Sequence, residues 1–276
     1  MKIYFFGDIH GNEYGLETCL EHMARLKPDE VYCLGDLVGW LPFGDRTLSR
    51  MRSLGFPTVA GNHDLMAAGL FKDNPQKLDR IEATAYTAGL LSTVPGAIEF
   101  LRALPLSIER ENFFVTHHSP FHLPFEEEPP TIGCFDYLTE AALEACLVEW
   151  NYFPKQIIFS GHDHVPAVYE LPGGLDEPPT LADVKVYKPA ADQELTVRLP
   201  LSSRYWVKAG SLAMNRDGVP MANSVLYDSE EETITLYRLP FPTDRLAGEL
   251  QSHFFGPTLP TIRKYIDLLV GYGLKP

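Results

Sequence analysis

Short apolar runs that stop at glycine and a polar or charged side chain recur along the chain. Residues 2–6 (Lys-Ile-Tyr-Phe-Phe) are rich in β-formers and predict a buried strand, which breaks at Gly7-Asp8-Ile9-His10-Gly11-Asn12. Leu16, Cys19, Leu20 and Met23 follow at i, i+3, i+4, i+7 and predict an amphipathic helix stopping near Lys27-Pro28. Residues 31–34 predict a strand running into Gly35-Asp36, residues 47–54 a helix, and residues 57–60 a strand reaching Gly61-Asn62-His63-Asp64. The grammar repeats later. Residues 113–116 form a strand pattern ending at His117-His118-Ser119-Pro120. Leu138, Ala141, Ala142 and Ala145 mark a helix, and residues 156–160 a strand ending at Gly161-His162-Asp163-His164.

Strands alternating with helices predict sheets fed by crossover connections, whose ligands collect beyond the carboxyl ends of the strands. The last third reads differently. Residues 194–199, 205–207 and 233–239 are β-rich, and the Pro/Gly-rich acidic stretch 172–179 reads as a surface loop. A final helix has Ile262, Tyr265, Ile266 and Leu269 on one face, with Gly271 as its expected C-cap. No composition shift marks a boundary, so one domain spanning 1–276 is expected, with a C-terminal extension at about 240–276 that carries no assignment.

Charge narrows the partners. Lys and Arg number 23 against 37 Asp and Glu, a net charge of −14, which argues against a nucleic-acid duplex because duplex binding rests on Lys and Arg neutralising phosphates. A small phosphorylated substrate stays open if something cationic sits in the site. No run suits a membrane span, and the apolar stretch after Met1-Lys2 is too short for a signal peptide, so a cytoplasmic protein is expected. The four cysteines show no C-x-x-C pairing and read as buried free thiols.

The strand ends gather Asp8, His10, Asp36, Asn62, His63, His117, His162 and His164, five of the nine histidines among them. Asp8-x-His10 and His162-x-His164 have the spacing of two side chains projecting the same way from an extended segment. Mixed imidazole and carboxylate donors suit Mn, Fe, Zn, Ni or Co better than Ca. These blocks resemble the calcineurin-like metallophosphoesterase superfamily, whose motif order is D-x-H, G-D, G-N-H-[DE], H, G-H-x-H. All five stand here in order between residues 7 and 164. The resemblance implies an α+β chain of the α/β type: a four-layer α-β-β-α sandwich of two mixed sheets, the metallo-dependent phosphatase fold, with two divalent cations, Mn first among them, at one edge.

On that resemblance Asp8, His10 and His164 hold one cation, Asn62, His117 and His162 the second, and Asp36 bridges both. His117 is preferred because small relatives read H-G-[ST]-P, which puts His118 in the glycine's place; the reverse order stays open. Two cations roughly 3.5–4 Å apart can share a hydroxide and aim it in line at phosphorus. His63 is then a catalytic donor to the leaving or a phosphoryl oxygen rather than a ligand, and Asp64 is grouped with it. Asp64 and Asp45 are the candidates to orient it, or plain loop carboxylates.

Gly35-Asp36-Leu37-Val38-Gly39-Trp40 departs from the G-D-x-V-D-R-G of serine/threonine protein phosphatases and resembles the G-D-x-V-G-[YW] of small bacterial and archaeal phosphoesterases. Lys208-Ala209-Gly210-Ser211-Leu212 and Arg216-Asp217-Gly218 partly match their late N-P-G-S-[VI] and R-D-G blocks. The resemblance thus runs to about residue 228. Asn12 and Arg216 are assigned as substrate contacts, Arg216 alternatively as a turn-region ion pair. Trp40, Phe43, Phe121 and Phe125 are candidates to stack a nucleobase or simply to pack. Glu126-Glu127-Glu128 reads as a solvated loop, and His22, His122 and His253 receive no function. The expected activity is hydrolysis of phosphodiesters or phosphomonoesters, nucleotide-like substrates included. The alternatives are protein phosphatase activity or a non-catalytic metal-binding scaffold. Oligomeric state is left open.

Overall fold

A computed structural model describes residues 1–72, 74–124 and 130–273. In chain order its first half comprises β1 (Lys2–Phe6), α1 (Glu13–Leu26), β2 (Glu30–Cys33), α2 (Gly44–Leu54), α3 (Asn62–Ala67), α4 (Leu78–Leu91), α5 (Ala97–Arg102), β3 (Ser107–Glu109) and β4 (Phe113–Thr116). The second half comprises α6 (Glu140–Tyr152), β5 (Ile157–Ser160), β6 (Pro166–Leu171), β7 (Lys185–Tyr187), β8 (Leu195–Arg198), β9 (Arg204–Ala209), β10 (Ala222–Asp228), β11 (Thr233–Leu239), α7 (Thr243–Ser252) and α8 (Pro260–Gly273).

Two mixed sheets result, ordered β2-β1-β10-β11-β8 and β3-β4-β5-β9-β6-β7. The central strands β1, β5 and β9 are largely apolar and buried on both faces, so the period of two shows in where each side chain goes. In β1, Ile3 and Phe5 enter the core between the sheets, whereas Tyr4 and Phe6 join the cluster formed with α1, α2 and α8. In β5 and β9, Ile157, Phe159, Tyr205 and Val207 point inward, and Ile158 and Trp206 pack outward on Trp150 of α6. Helices, sheet, sheet and helix therefore stack as four layers, the expected architecture. Pairs β1–β2 and β4–β5 are parallel, which sends the polar ends of each pair to one edge.

Several elements differ from the expectation. Residues 57–60 form only an isolated bridge, Thr58 to Cys33, because the next N–H, that of Ala60, leaves β2 for the Pro105 carbonyl. Helix α6 starts after Leu138, capped by Thr139, and buries Leu143, Cys146, Leu147 and Trp150; Ala141 and Ala145 are exposed. Two sets at helical spacing compete there, and the one with more apolar area takes the core. In α8 the expected face is buried, but the helix runs through the exposed Gly271 to Gly273, so Gly271 is not its cap. Residues of α7 and α8 (Leu246, Leu250, Ile262, Leu269) share a core cluster with Tyr4 and Phe6.

Candidate metal centre

The loops leaving β1, β2, β4 and β5 converge, and their backbone shows it. Asp8, His10, Asp36, His162 and His164 all have positive φ, between 48° and 70°, a region that costs a side-chain-bearing residue energy and clusters at functional sites. The turns bring backbone N–H groups onto carboxylates: His63 donates to Asp36 Oδ1 at 2.8 Å and His162 to Asp8 Oδ2 at 2.9 Å. Gly61 is required by the same crowding, because a Cβ there would collide with Asp36 Oδ1.

The remaining oxygens and ring nitrogens face one another. Asp36 Oδ2 lies 3.5 Å from His10 Nε2 and 3.3 Å from His117 Nε2; Asp8 Oδ1 lies 3.3 Å from His164 Nε2. Two groups of donor atoms follow, Asp8, His10, Asp36 and His164 in one and Asp36, His117 and His162 in the other, each within 4.8 Å. Asp36 is common to both. Asn62, buried at the start of α3 beside His63, has its Oδ1 without a partner.

A cation fits this arrangement for a reason internal to it. One ring nitrogen of each histidine contacts a backbone carbonyl: His10 that of Val38 (3.2 Å), His117 Leu34 (2.6 Å), His162 Phe135 (2.7 Å) and His164 Met214 (2.9 Å). A carbonyl only accepts, so each of those nitrogens carries the hydrogen and the other carries the lone pair, the orientation that outer partners impose on metal-ligating histidines. His10 Nε2 and His164 Nε2 then meet at 3.0 Å as two lone pairs, while Asp8 Oδ1 and His117 Nε2 are buried without a hydrogen bond. Positive charge among them resolves the conflict.

The electrostatics agree. Burial pushes the Asp36 carboxyl up, but His117, His63 and His10 outweigh it and hold Asp36 well below the carboxylate range; Asp8 is likewise held down against burial by His164 and His117. Burial lowers His10 to about 4 and takes His63 and His162 well below their usual value. Burial lowers His117 too, yet Asp36 and Asp8 beside it carry it to about 9.

The sequence pattern of the calcineurin-like phosphoesterases matches residues 1–166, a stretch that contains every one of these side chains. The chain belongs to the calcineurin-like phosphoesterase family. The family consists of phosphoester hydrolases that use divalent metal ions, so this calcineurin-like phosphoesterase is a metal-dependent hydrolase. It is 26% identical over 243 residues, 87% of either chain, to an uncharacterised protein of Methanocaldococcus jannaschii. It is 30% identical over 164 residues to a symmetrical bis(5'-nucleosyl)-tetraphosphatase of Shewanella baltica, a match spanning 57% of this chain and 56% of that one. A metallophosphoesterase crystal structure from Sphaerobacter thermophilus shares its fold, with a TM-score of 0.72 at 24% identity over 98% of this chain and 99% of that one.

Other sequence-based assignments meet a different outcome. Asn12 is buried and its side chain is taken up within the fold: its Oδ1 caps α1 through Gly15 N at 3.0 Å and its Nδ2 donates to the Leu212 carbonyl. Asp64 does not orient His63, whose Nδ1 is without a partner, which excludes Asp45 as well. Asp64 instead accepts from Leu37 N (2.9 Å), Val38 N (3.3 Å) and Gly61 N (3.0 Å), fastening the Asp36 loop to the Asn62 loop. Burial, reinforced by Asp36, raises it to about 7. His118 lies outside both donor groups, its ring against Phe135. Among the described residues Arg216 forms no ion pair; its guanidinium sits 4.2 Å over the Tyr137 ring and donates to the Tyr137 hydroxyl.

Phe43, Phe121 and Trp40 all pack on core clusters, and Trp40 also reaches the site, its ring 5.4 Å from the His63 ring. Phe125 and Glu126-Glu127-Glu128 lie outside the described residues. Tyr137, stacked on His162 at 4.8 Å, and the carbonyls of Val38, Leu34, Phe135 and Met214 were not found by sequence reasoning. Backbone acceptors carry no sequence signature, and a tyrosine in a loop looks like any other.

Proposed function

We propose that the protein hydrolyses phosphodiesters or phosphomonoesters at a two-cation centre, with nucleotide-like substrates among its targets and Mn²⁺ as the preferred metal. The observation that carries this reading is the position of Asp36 Oδ2 between His10 Nε2 and His117 Nε2, which makes one carboxylate the common member of two donor groups. Asp8, His10 and His164 with Asp36 would hold one cation, and Asn62, His117 and His162 with Asp36 the other. Bound there, the cations supply neutralisation of the phosphoryl oxygens and acidification of an attacking water.

The chain's own residues do the rest. Gly61, Asp64 and the loop carbonyls fix the donors, so little reorganisation is left for the moment of reaction. His63, neutral through burial, donates through its ring N–H to a phosphoryl or leaving oxygen. The tetraphosphatase similarity supports a nucleotide-like substrate. The net charge of −14 supports a small phosphorylated molecule over a nucleic-acid duplex. The four cysteines are free and buried, which supports a reducing, cytoplasmic setting. Among the described residues no helix is long and apolar enough to cross a membrane. The packing of α7 and α8 against β1 residues supports one folded unit.

The test is hydrolysis of bis-nitrophenyl phosphate by purified protein. Mn²⁺ is expected to support turnover and EDTA to abolish it; turnover indifferent to chelation contradicts the proposal.

A further inference from the structure

Beside the candidate centre lies a cleft of about 220 Å³ with His164, Trp40 and Arg216 in its walls, together with Thr261, Lys264 and Tyr265 of α8. A wider one, about 620 Å³, has Trp40 and Thr261 in its walls as well, and adds Lys77 and Arg80. The C-terminal helix thus forms a wall of the space next to the metal donors. It is fixed there: Asp79 of α4 accepts from Thr261 N at 2.9 Å and from its hydroxyl at 2.6 Å, and Ile262, Tyr265, Ile266 and Leu269 are buried.

The charge lining the smaller cleft is opposite to that of the molecule. In a chain of net charge −14, none of the residues lining the smaller cleft is acidic, and two, Arg216 and Lys264, are cationic. In the wider cleft the two cations Lys77 and Arg80 are matched by Asp79 and Asp136, so the cationic lining is confined to the smaller one. Neither Arg216 nor Lys264 has an ion-pair partner among the described residues. Arg216 is also held at a set place, because the Tyr137 ring it covers stacks on His162. A guanidinium so placed, with an ammonium lining the same cleft, is suited to phosphate oxygens.

We infer that Arg216 and Lys264 form a subsite for a second phosphoryl group of the substrate, beyond the one at the metal donors. The substrate class is then a multiply phosphorylated ester of the nucleoside diphosphate kind. This rests on the phosphoesterase reading above and deepens it.

The experiment is calorimetric titration of the Mn²⁺-loaded protein with ADP and with AMP at equal free Mn²⁺. The unmodified protein is expected to bind ADP about tenfold more tightly than AMP, the worth of one charge-assisted phosphate contact. Lys264→Ala and Arg216→Ala are each expected to lower that ratio by about threefold, since partly exposed charges are screened, and the double variant to bring it near one. Lys264→Arg retains the ratio. Lys264 is exposed, and thermal melts check that each variant is folded. A ratio near one in the unmodified protein, or an unchanged ratio in the double variant, overturns the subsite. Hydrolysis of bis-nitrophenyl phosphate, an ester with one phosphate, separates the two readings. If it persists while the ADP preference is missing, only the subsite fails; if it is missing while the preference stands, only the hydrolase reading fails.

Discussion

Asp36 carries the heaviest load of any side chain in the centre. One oxygen holds the His63 backbone and the other faces two histidines. Asp36→Asn keeps the shape but halves the acceptor character and removes the charge. We expect metal content, read by elemental analysis, and turnover to fall together. His63→Ala removes a donor that lies outside both donor groups. Its metal content should stay intact while turnover drops by about 10²- to 10⁴-fold, the usual worth of a positioned proton donor. Gly61→Ala drives a Cβ into Asp36 and should both lower the melting temperature and cost metal affinity. The aspartate and histidine donors were legible in the sequence because each sits one to four residues past a strand, several of them in pairs whose spacing is local. The roles of Asn12 and Asp64 were not, because what they bond are backbone groups as distant as Leu212 and Leu37, which no side-chain pattern announces.

Among the elements, the central strands and α1 could be read directly, since apolar runs and a 3.6-residue period survive without knowledge of the partner. Helix α4 could not. It buries Ala83, Thr84, Thr87 and Leu91, small or half-polar residues that leave only a faint stripe. In α6 two stripes compete, and only packing on Ile158 and Trp206 decides between them. Helix α8 showed its face but not its place: periodicity identified Ile262, Tyr265, Ile266 and Leu269, while their position against α7 and beside the metal donors depends on contacts far along the chain. Because Leu269 is fully buried in the helical-side core, Leu269→Ala should destabilise the protein by about 2–5 kcal/mol in denaturant unfolding. A helix lying loosely on the surface would give a much smaller loss.

Across the whole molecule, the proposed reading has a strongly acidic chain handle anionic esters by concentrating positive charge in one place. Its aspartates and histidines are prearranged with donor atoms facing one another, and on the proposed reading cations bound there would relieve the crowding of lone pairs and negative charge. Binding to the folded state alone stabilises it by about 2.7 kcal/mol at a hundredfold excess over Kd. Addition of Mn²⁺ should therefore raise the melting temperature, and EDTA should reverse the shift. The direct measurement of the central claim is anomalous diffraction from a crystal of the Mn²⁺-loaded protein. The account predicts two peaks flanking the Asp36 carboxylate, one beside Asp8, His10 and His164 and the other beside Asn62, His117 and His162. A single peak, or peaks away from Asp36, would contradict it.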